Sequence, residues 1–340
     1  MKKIKTFCLI LILLFFVFGI ISTGYTKKIK LTYANFPPAS TFPCVQMERW
    51  AKEVEKRTNG KVVVETYPGG TLLGAKEMMD GVIQGLADIG VVCMAYQPGR
   101  FKITNAISLP LGIPNATVGS LVLWELFHKY NPPAFSKVKV ITLFTSAPSN
   151  LMTKKPVRRL EDLKGMDIRA SGGAALILKK WGANQIGMPM SDVPEALQKG
   201  VIDGLFTSLE VMKDLNFAAI CKYITITNTV VYPFAVVMNK SKWNSLPDDV
   251  KKVINDLSKE QALWTGNYMD NHVKEAIRWS KEKYNVEVIY LPKDEKIKWE
   301  KPLKEIVSEW IKKMKKYGIP GDKVVKDIKA LIAKYSKEGR

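Results

Sequence analysis

Leu160–Gly173 reads LEDLKGMDIRASGG, and its parts spell out an α/β unit. Leu160–Lys164 is a short polar turn of helix that stops on Gly165, since glycine takes the left-handed cap most easily. Met166–Ala170 reads as a short strand with Arg169 near its exit, and Ala174–Trp181 as a helix that Ser171 can cap. An arginine therefore leaves a strand just where the N–H groups at a helix start are free. Such a start attracts anions through its orphan donors and its dipole, and a guanidinium fork suits a carboxylate. Arg169 could equally close a structural ion pair with Asp162 or Asp167, and local chemistry leaves both readings open.

Working outward, Glu195–Leu205 (EALQKGVIDGL) echoes Met79–Ile89 (MDGVIQGLADI): helix, glycine stop, two apolar positions, aspartate, strand. This is either a common helix-to-strand connection or a pair of similar α/β lobes feeding strand ends toward a shared cleft. Ser191 suits the N-cap of the second of these helices. Upstream, strands at Lys28–Asn35, Lys61–Tyr67 and Ala87–Met94 alternate with helices at Phe42–Thr58 and Ala75–Gln84, the pattern of a parallel α/β sheet. A helix over Ala116–Tyr130 and a buried strand over Val138–Thr145 follow. Thr225–Val237 predicts two short strands broken near Tyr232-Pro233, the second carrying the polypeptide back to the first lobe. Pro247–Tyr284 reads as one long helix, Val286–Leu291 as a strand, and Ile297–Tyr317 and Lys323–Tyr335 as scaffold helices.

Residues 1–26 stand apart. Lys2, Lys3 and Lys5 precede an apolar run, Phe7–Ile21, and the small residues Ser22-Thr23-Gly24, which is the layout of a secretory signal peptide. The run is short for a membrane span, and Cys8 lies inside it, which argues against a lipoprotein cleavage site. Cys44, Cys93 and Cys221 are an odd set without CxxC spacing, so they read as core fillers, with one disulfide left open. His128 and His272 are too few for a zinc site or a histidine-dependent triad, so neither metal nor cofactor is expected.

At 340 residues, 46% hydrophobic and 25% charged, the protein suits two globular domains. Its net charge of +20 comes from scattered lysines, and Lys312–Lys316 (KKMKK) reads as a solvated helix face. Without a basic stripe or a recognised module, nucleic acid is not an expected partner. There is no GxSxG elbow, HExxH, Walker loop or GxGxxG after a strand, and Asp80, Asp88 and Asp203 sit at helix ends. A binding protein is therefore favoured, with a secreted hydrolase or lyase as the enzymatic alternative. A ligand sensor serving a signalling partner is the third reading.

Five segments in order carry a family resemblance: RTNGKVVVETYPGGTLLG (Arg57–Gly74), GLADIG (Gly85–Gly90), KKPVRRLEDLKGMDIRA (Lys154–Ala170), GANQIGMPMSDVPEALQKGVIDG (Gly182–Gly204) and VVMNKSKWNSLPDDV (Val236–Val250). Together they resemble the DctP-like solute receptors of tripartite ATP-independent periplasmic (TRAP) transporters. The resemblance implies an extracytoplasmic, two-lobed α/β receptor of the periplasmic-binding-protein type, with strands crossing at a hinge and a long helix spanning both lobes. Lobe I would comprise 27–147 and 233–272, lobe II 148–232 and 273–340. The partners it implies are a small organic acid and the membrane permease. In that family the arginine after the LKG turn holds the ligand carboxylate, and Arg169 matches it. Asn150 stands where a second arginine is often found, and Asp203-Gly204 is followed by Leu205-Phe206-Thr207-Ser208 instead of the usual asparagine. One clear cation remains, which points to a monocarboxylate or keto acid with a hydrophobic or aromatic body. Strand ends and lobe-facing loops add Phe36, Met94, Tyr96, Ser171, Met190, Phe206, Thr207 and Tyr232 as ligand candidates, with core packing as the competing role.

Overall fold

Alternation of apolar strands with amphipathic helices builds two sheets, described over residues 28–338 in a computed structural model. The signal-peptide expectation for residues 1–26 lies outside the described residues. In the first sheet β1 (Ile29–Ala34) pairs in parallel with β2 (Val62–Tyr67) and β3 (Ile89–Cys93). Helices α1 (Phe42–Arg57) and α2 (Met78–Gln84) make the crossovers. Every residue of β3, IGVVC, is buried, as expected for a central strand covered on both faces. Then come α3 (Ala116–Tyr130), capped by the Asn115 side chain, and β4 (Val138–Thr145).

Past β4 the polypeptide enters the second sheet with β5 (Asn150–Thr153) and β6 (Asp167–Arg169). There follow α4 (Gly172–Trp181), β7 (Asn184–Ile186), α5 (Val193–Gln198), β8 (Gly204–Thr207), α6 (Val211–Asp214) and β9 (Tyr223–Ile226). Then β10 (Pro233–Asn239) returns to the first sheet and inserts antiparallel between β3 and β4. The short α7 (Lys240–Ser245) leads to α8 (Asp248–Tyr284), a 37-residue helix, and β11 (Glu287–Tyr290) closes the edge of the second sheet beside β9. The orders are β2-β1-β3-β10-β4 and β11-β9-β5-β8-β6-β7.

Both crossings between the sheets run side by side. Ser146 N–H donates to the Tyr232 carbonyl at 2.9 Å, Tyr232 N–H to Ser146 Oγ at 2.9 Å, and Ser149 N–H to the Val230 carbonyl at 2.7 Å. Two hydrogen-bonded extended segments make a hinge of the kind that absorbs domain closure. Helix α8 is the third link: Thr142 of β4 donates to its Ser258 carbonyl at 2.8 Å, and its His272 reaches Asp214 of α6 at 2.6 Å.

Two departures have local causes. The helix expected over Ile297–Tyr317 splits into α9 (Lys293–Glu300) and α10 (Lys304–Lys315), because Pro302 sits in the 3-10 turn between them and cannot donate an N–H. The last helix, α11 (Gly321–Glu338), packs against α3 of the first lobe, where Tyr130 Oη donates to Asp327 Oδ2 at 2.7 Å and Lys129 pairs with the same carboxylate at 2.8 Å. Residues 273–340 therefore do not all belong with the second sheet. Cys44, Cys93 and Cys221 are buried free thiols. Among the described residues no helix is long and apolar enough to cross a membrane.

Candidate functional site

Arg169 ends β6, and its side chain is swallowed by the protein, with 1% of the residue exposed. Its Nε and Nη2 donate to the Met188 carbonyl at 3.0 and 2.7 Å, and Nη2 also to Tyr96 Oη at 3.3 Å. The guanidinium lies 5.9 Å from the centroid of the Tyr232 ring. Among the described residues no carboxylate comes within 4.0 Å of it. The ion-pair reading therefore fails: Asp162 is occupied by the Arg158 and Arg159 N–H groups at 2.9 Å each, and Asp167 makes no pair with Arg169. A buried charge with no opposite charge is costly. Burial also raises the Tyr96 and Tyr232 phenols and pushes the Cys93 thiol up to about 12, so these neighbours stay neutral at neutral pH. The guanidinium itself is left without a carboxylate partner among the described residues.

Tyrosine hydroxyls tie the loops around this cation. Tyr96 Oη, from the first lobe, accepts the Met190 N–H of the second at 3.0 Å. Tyr232 Oη accepts the Ser171 N–H at 3.2 Å and donates to the Phe206 carbonyl at 3.1 Å. Ser171 occupies the N-cap position of α4, yet its hydroxyl donates to the Met188 carbonyl at 3.3 Å and caps nothing. The start of α4 packs close against the first lobe. A Cβ on Gly173 would stand 2.4 Å from the Ser108 carbonyl oxygen, so only glycine lets this helix meet the first lobe's backbone. Ser191 likewise caps nothing, since its hydroxyl turns to Asp192 Oδ1 at 2.8 Å.

Between the lobes lies a cavity of about 50 Å³. Drug-sized ligands occupy sites of roughly 300–1,000 Å³, so the lobes must part to admit one here. Of the residues expected from sequence, Phe36, Tyr96, Arg169, Met190, Thr207 and Tyr232 line it. Four others do not. Met94 is wholly buried in the first-lobe core. Phe206 packs on Trp181 with centroids 5.2 Å apart and offers only its carbonyl. Ser171 serves the loop bonds just described. Asn150 has become a turn fastener: its Oδ1 accepts the N–H groups of Thr227 and Asn228 at 2.7 and 2.9 Å, and its Nδ2 donates to the Pro148 carbonyl at 3.0 Å. Asn228 needs that support because its φ is +43°.

Sequence reasoning missed Phe42, Phe234, Glu210 and Asp214, which also line the cavity. Phe42 sets its ring edge-on to Phe234 and Phe144, with centroids 5.5 and 5.9 Å apart, and Phe36 does the same to Tyr96 at 5.7 Å. Glu210 is 3% exposed and accepts a hydrogen bond from the Ser208 hydroxyl; burial, with the nearby Asp214 charge, lifts its carboxyl to about 7. Asp214 Oδ1 meets His272 Nε2 at 2.6 Å, a bond that raises the histidine's pKa. The available signal was position: Glu210 and Asp214 follow the carboxyl end of β8, where α/β sheets bind ligands. Larger hollows of about 700 and 640 Å³ open near Trp124 and Trp299, but no buried charged side chain lines either one.

Residues 33–313 match the family described as bacterial extracellular solute-binding protein, family 7 (DctP). A TRAP periplasmic solute binding protein from Desulfovibrio salexigens, solved as an open complex with the C-terminus of a symmetry mate in its ligand-binding site, is 56% identical. That comparison covers 91% of this chain and 97% of the other, with a TM-score of 0.82. A TRAP solute binding protein from Rhodoferax ferrireducens, in complex with copurified benzoate, is 25% identical over 92% of this chain and 100% of its own, with a TM-score of 0.88. A solute-binding protein from Albidiferax ferrireducens is 27% identical over 61% of this chain, and the chain spans 63% of its length. The chain thus belongs to the DctP family, as an extracytoplasmic solute receptor of the TRAP type that binds its solute and does not transform it.

Proposed function

We propose that this receptor captures a small monocarboxylate or keto acid with an apolar or aromatic body, clamps its carboxylate on Arg169, and delivers it to a membrane permease. The observation that carries the reading is the buried guanidinium with no carboxylate within 4.0 Å among the described residues. Rings from Phe36, Phe42, Tyr96, Tyr232 and Phe234 support an aromatic or apolar body beside it. The Rhodoferax ferrireducens relative came with benzoate, and the Desulfovibrio salexigens relative with a polypeptide C-terminus, a group that ends in a carboxylate. Residues 1–26, with their signal-peptide layout, support export to where such a permease draws its cargo.

Thermal-shift and calorimetric titration with benzoate, phenylpyruvate and succinate tests the proposal, because a ligand that binds only the folded state stabilises it by mass action. Benzoate or phenylpyruvate is expected to raise the melting temperature and to bind at least tenfold tighter than succinate. Tighter binding of succinate than of either monocarboxylate overturns the reading.

A further inference from the structure

Among the residues that line the cavity with Arg169, one carboxylate oxygen has no hydrogen-bond donor. It belongs to Asp214, whose side chain is 3% exposed. Its Oδ1 is used by His272, while its Oδ2 is buried and has no hydrogen-bond partner among the described residues. Buried carboxylate oxygens left this way are uncommon and costly. Glu210 lines the same cavity, and three nearby hydroxyls are engaged elsewhere: Ser208 donates to Glu210, Thr41 to the Pro38 carbonyl at 2.7 Å, and Ser146 to the Ala147 carbonyl at 2.9 Å.

We infer that the ligand bears a hydroxyl group beyond its carboxylate, and that this hydroxyl donates to Asp214 Oδ2, making Asp214 the residue that selects hydroxylated acids over their plain parents. The inference rests on the Arg169 reading above and adds a second anchor to it. A neutral donor fits better than an ammonium group. His272 at 2.6 Å already balances the Asp214 charge, Lys213 pairs with the Glu275 carboxylate that also reaches His272 at 3.5 Å, and burial raises the Glu210 carboxyl to about 7. No spare negative charge remains here for a cation.

The test is a ratio of dissociation constants, measured by calorimetry on the mature protein with benzoate, 3-hydroxybenzoate and 4-hydroxybenzoate. At least one phenol is expected to bind about tenfold tighter than benzoate or better, the scale of a hydrogen bond to a buried charge. In Asp214→Asn, whose Oδ1 still accepts from His272 while an NH₂ replaces Oδ2, that ratio should fall to within threefold of unity. Circular dichroism verifies that the variant folds; if it does not, Asp214→Ser takes its place in the same comparison. Benzoate binding as tightly as both phenols overturns the second anchor and leaves the Arg169 clamp standing. A phenol preference that survives Asp214→Asn also overturns it. Failure of all three acids to bind overturns the carboxylate reading itself.

Discussion

Where the first lobe reaches the cavity it presents rings, Phe36, Phe42, Tyr96 and Phe234; where the second reaches it, it presents charge, Arg169, Glu210 and Asp214. The two sheets have related architecture, yet they contribute unlike forces. A charge held twice by the Met188 carbonyl of its own lobe is oriented before any ligand arrives, so its attraction needs no rearrangement. Ring contacts are short-ranged and are made only once the first lobe folds over the ligand. On the proposal above, the second lobe captures and the first lobe closes.

Removing Arg169 strikes at capture and carries the largest expected effect. Truncating one member of a buried charged pair costs about 2–5 kcal/mol, which is roughly 30-fold to several-thousand-fold in affinity. Calorimetry with the acid that binds wild type should show that loss for Arg169→Ala. An unchanged dissociation constant would mean that the rings alone hold the ligand, and the contrast between lobes would collapse.

The next effect concerns the cost of the charged wall to the fold. Burial lifts the Glu210 carboxyl to about 7, above its ordinary value of 4.5. A raised pKa gives stability that is complete below the unfolded value and is lost as pH climbs through the folded one. That shift corresponds to about 3 kcal/mol lost between pH 4 and pH 8, at 1.36 kcal/mol per unit. His272, raised by its Asp214 hydrogen bond, pulls in the same direction, so the Glu210 part must be isolated by subtraction. Urea unfolding of wild type and Glu210→Gln across this range should show the variant gaining on wild type as pH rises. Parallel curves would mean that Glu210 is solvated and that the second lobe's wall is less demanding than its burial implies.

Much of the first lobe was legible because its signals are local. Ala116–Tyr130 and Val138–Thr145 appear with the same ends in sequence and in structure, the one helix bounded by the Asn115 cap and Pro132, the other a run of buried residues. Pro302 was also visible in the sequence, but a broken helix and an uninterrupted one share the same apolar spacing on either side of it. At the site, Arg169 could be picked out because strand exit, glycines and an arginine coincide within one stretch. Its lack of a carboxylate partner could not, because that depends on every loop that might have supplied one. Asn150 shows the converse: its place in the sequence suggested a ligand contact, but Thr227 and Asn228, far downstream, turn back and claim its amide. Asp214 acquires meaning only beside His272, 58 residues away on α8.

The smallest effect probes the first lobe's rings. Phe36 meets Tyr96 edge to face, with centroids 5.7 Å apart, and Tyr96 in turn donates nothing to Arg169 but accepts from it at 3.3 Å. Phe36→Leu keeps an apolar side chain of similar reach and removes the aromatic term, worth about 0.5–1.5 kcal/mol beyond burial. Affinity for an aromatic acid should therefore fall roughly 2- to 12-fold, while affinity for an aliphatic acid of similar size changes less. Because ring contacts form on closure and charge attraction precedes it, the loss should appear in the dissociation rate, with the association rate held near wild type. Stopped-flow measurement separates the two. An equal loss in both rates would place Phe36 in the encounter step, and capture would then belong to both lobes.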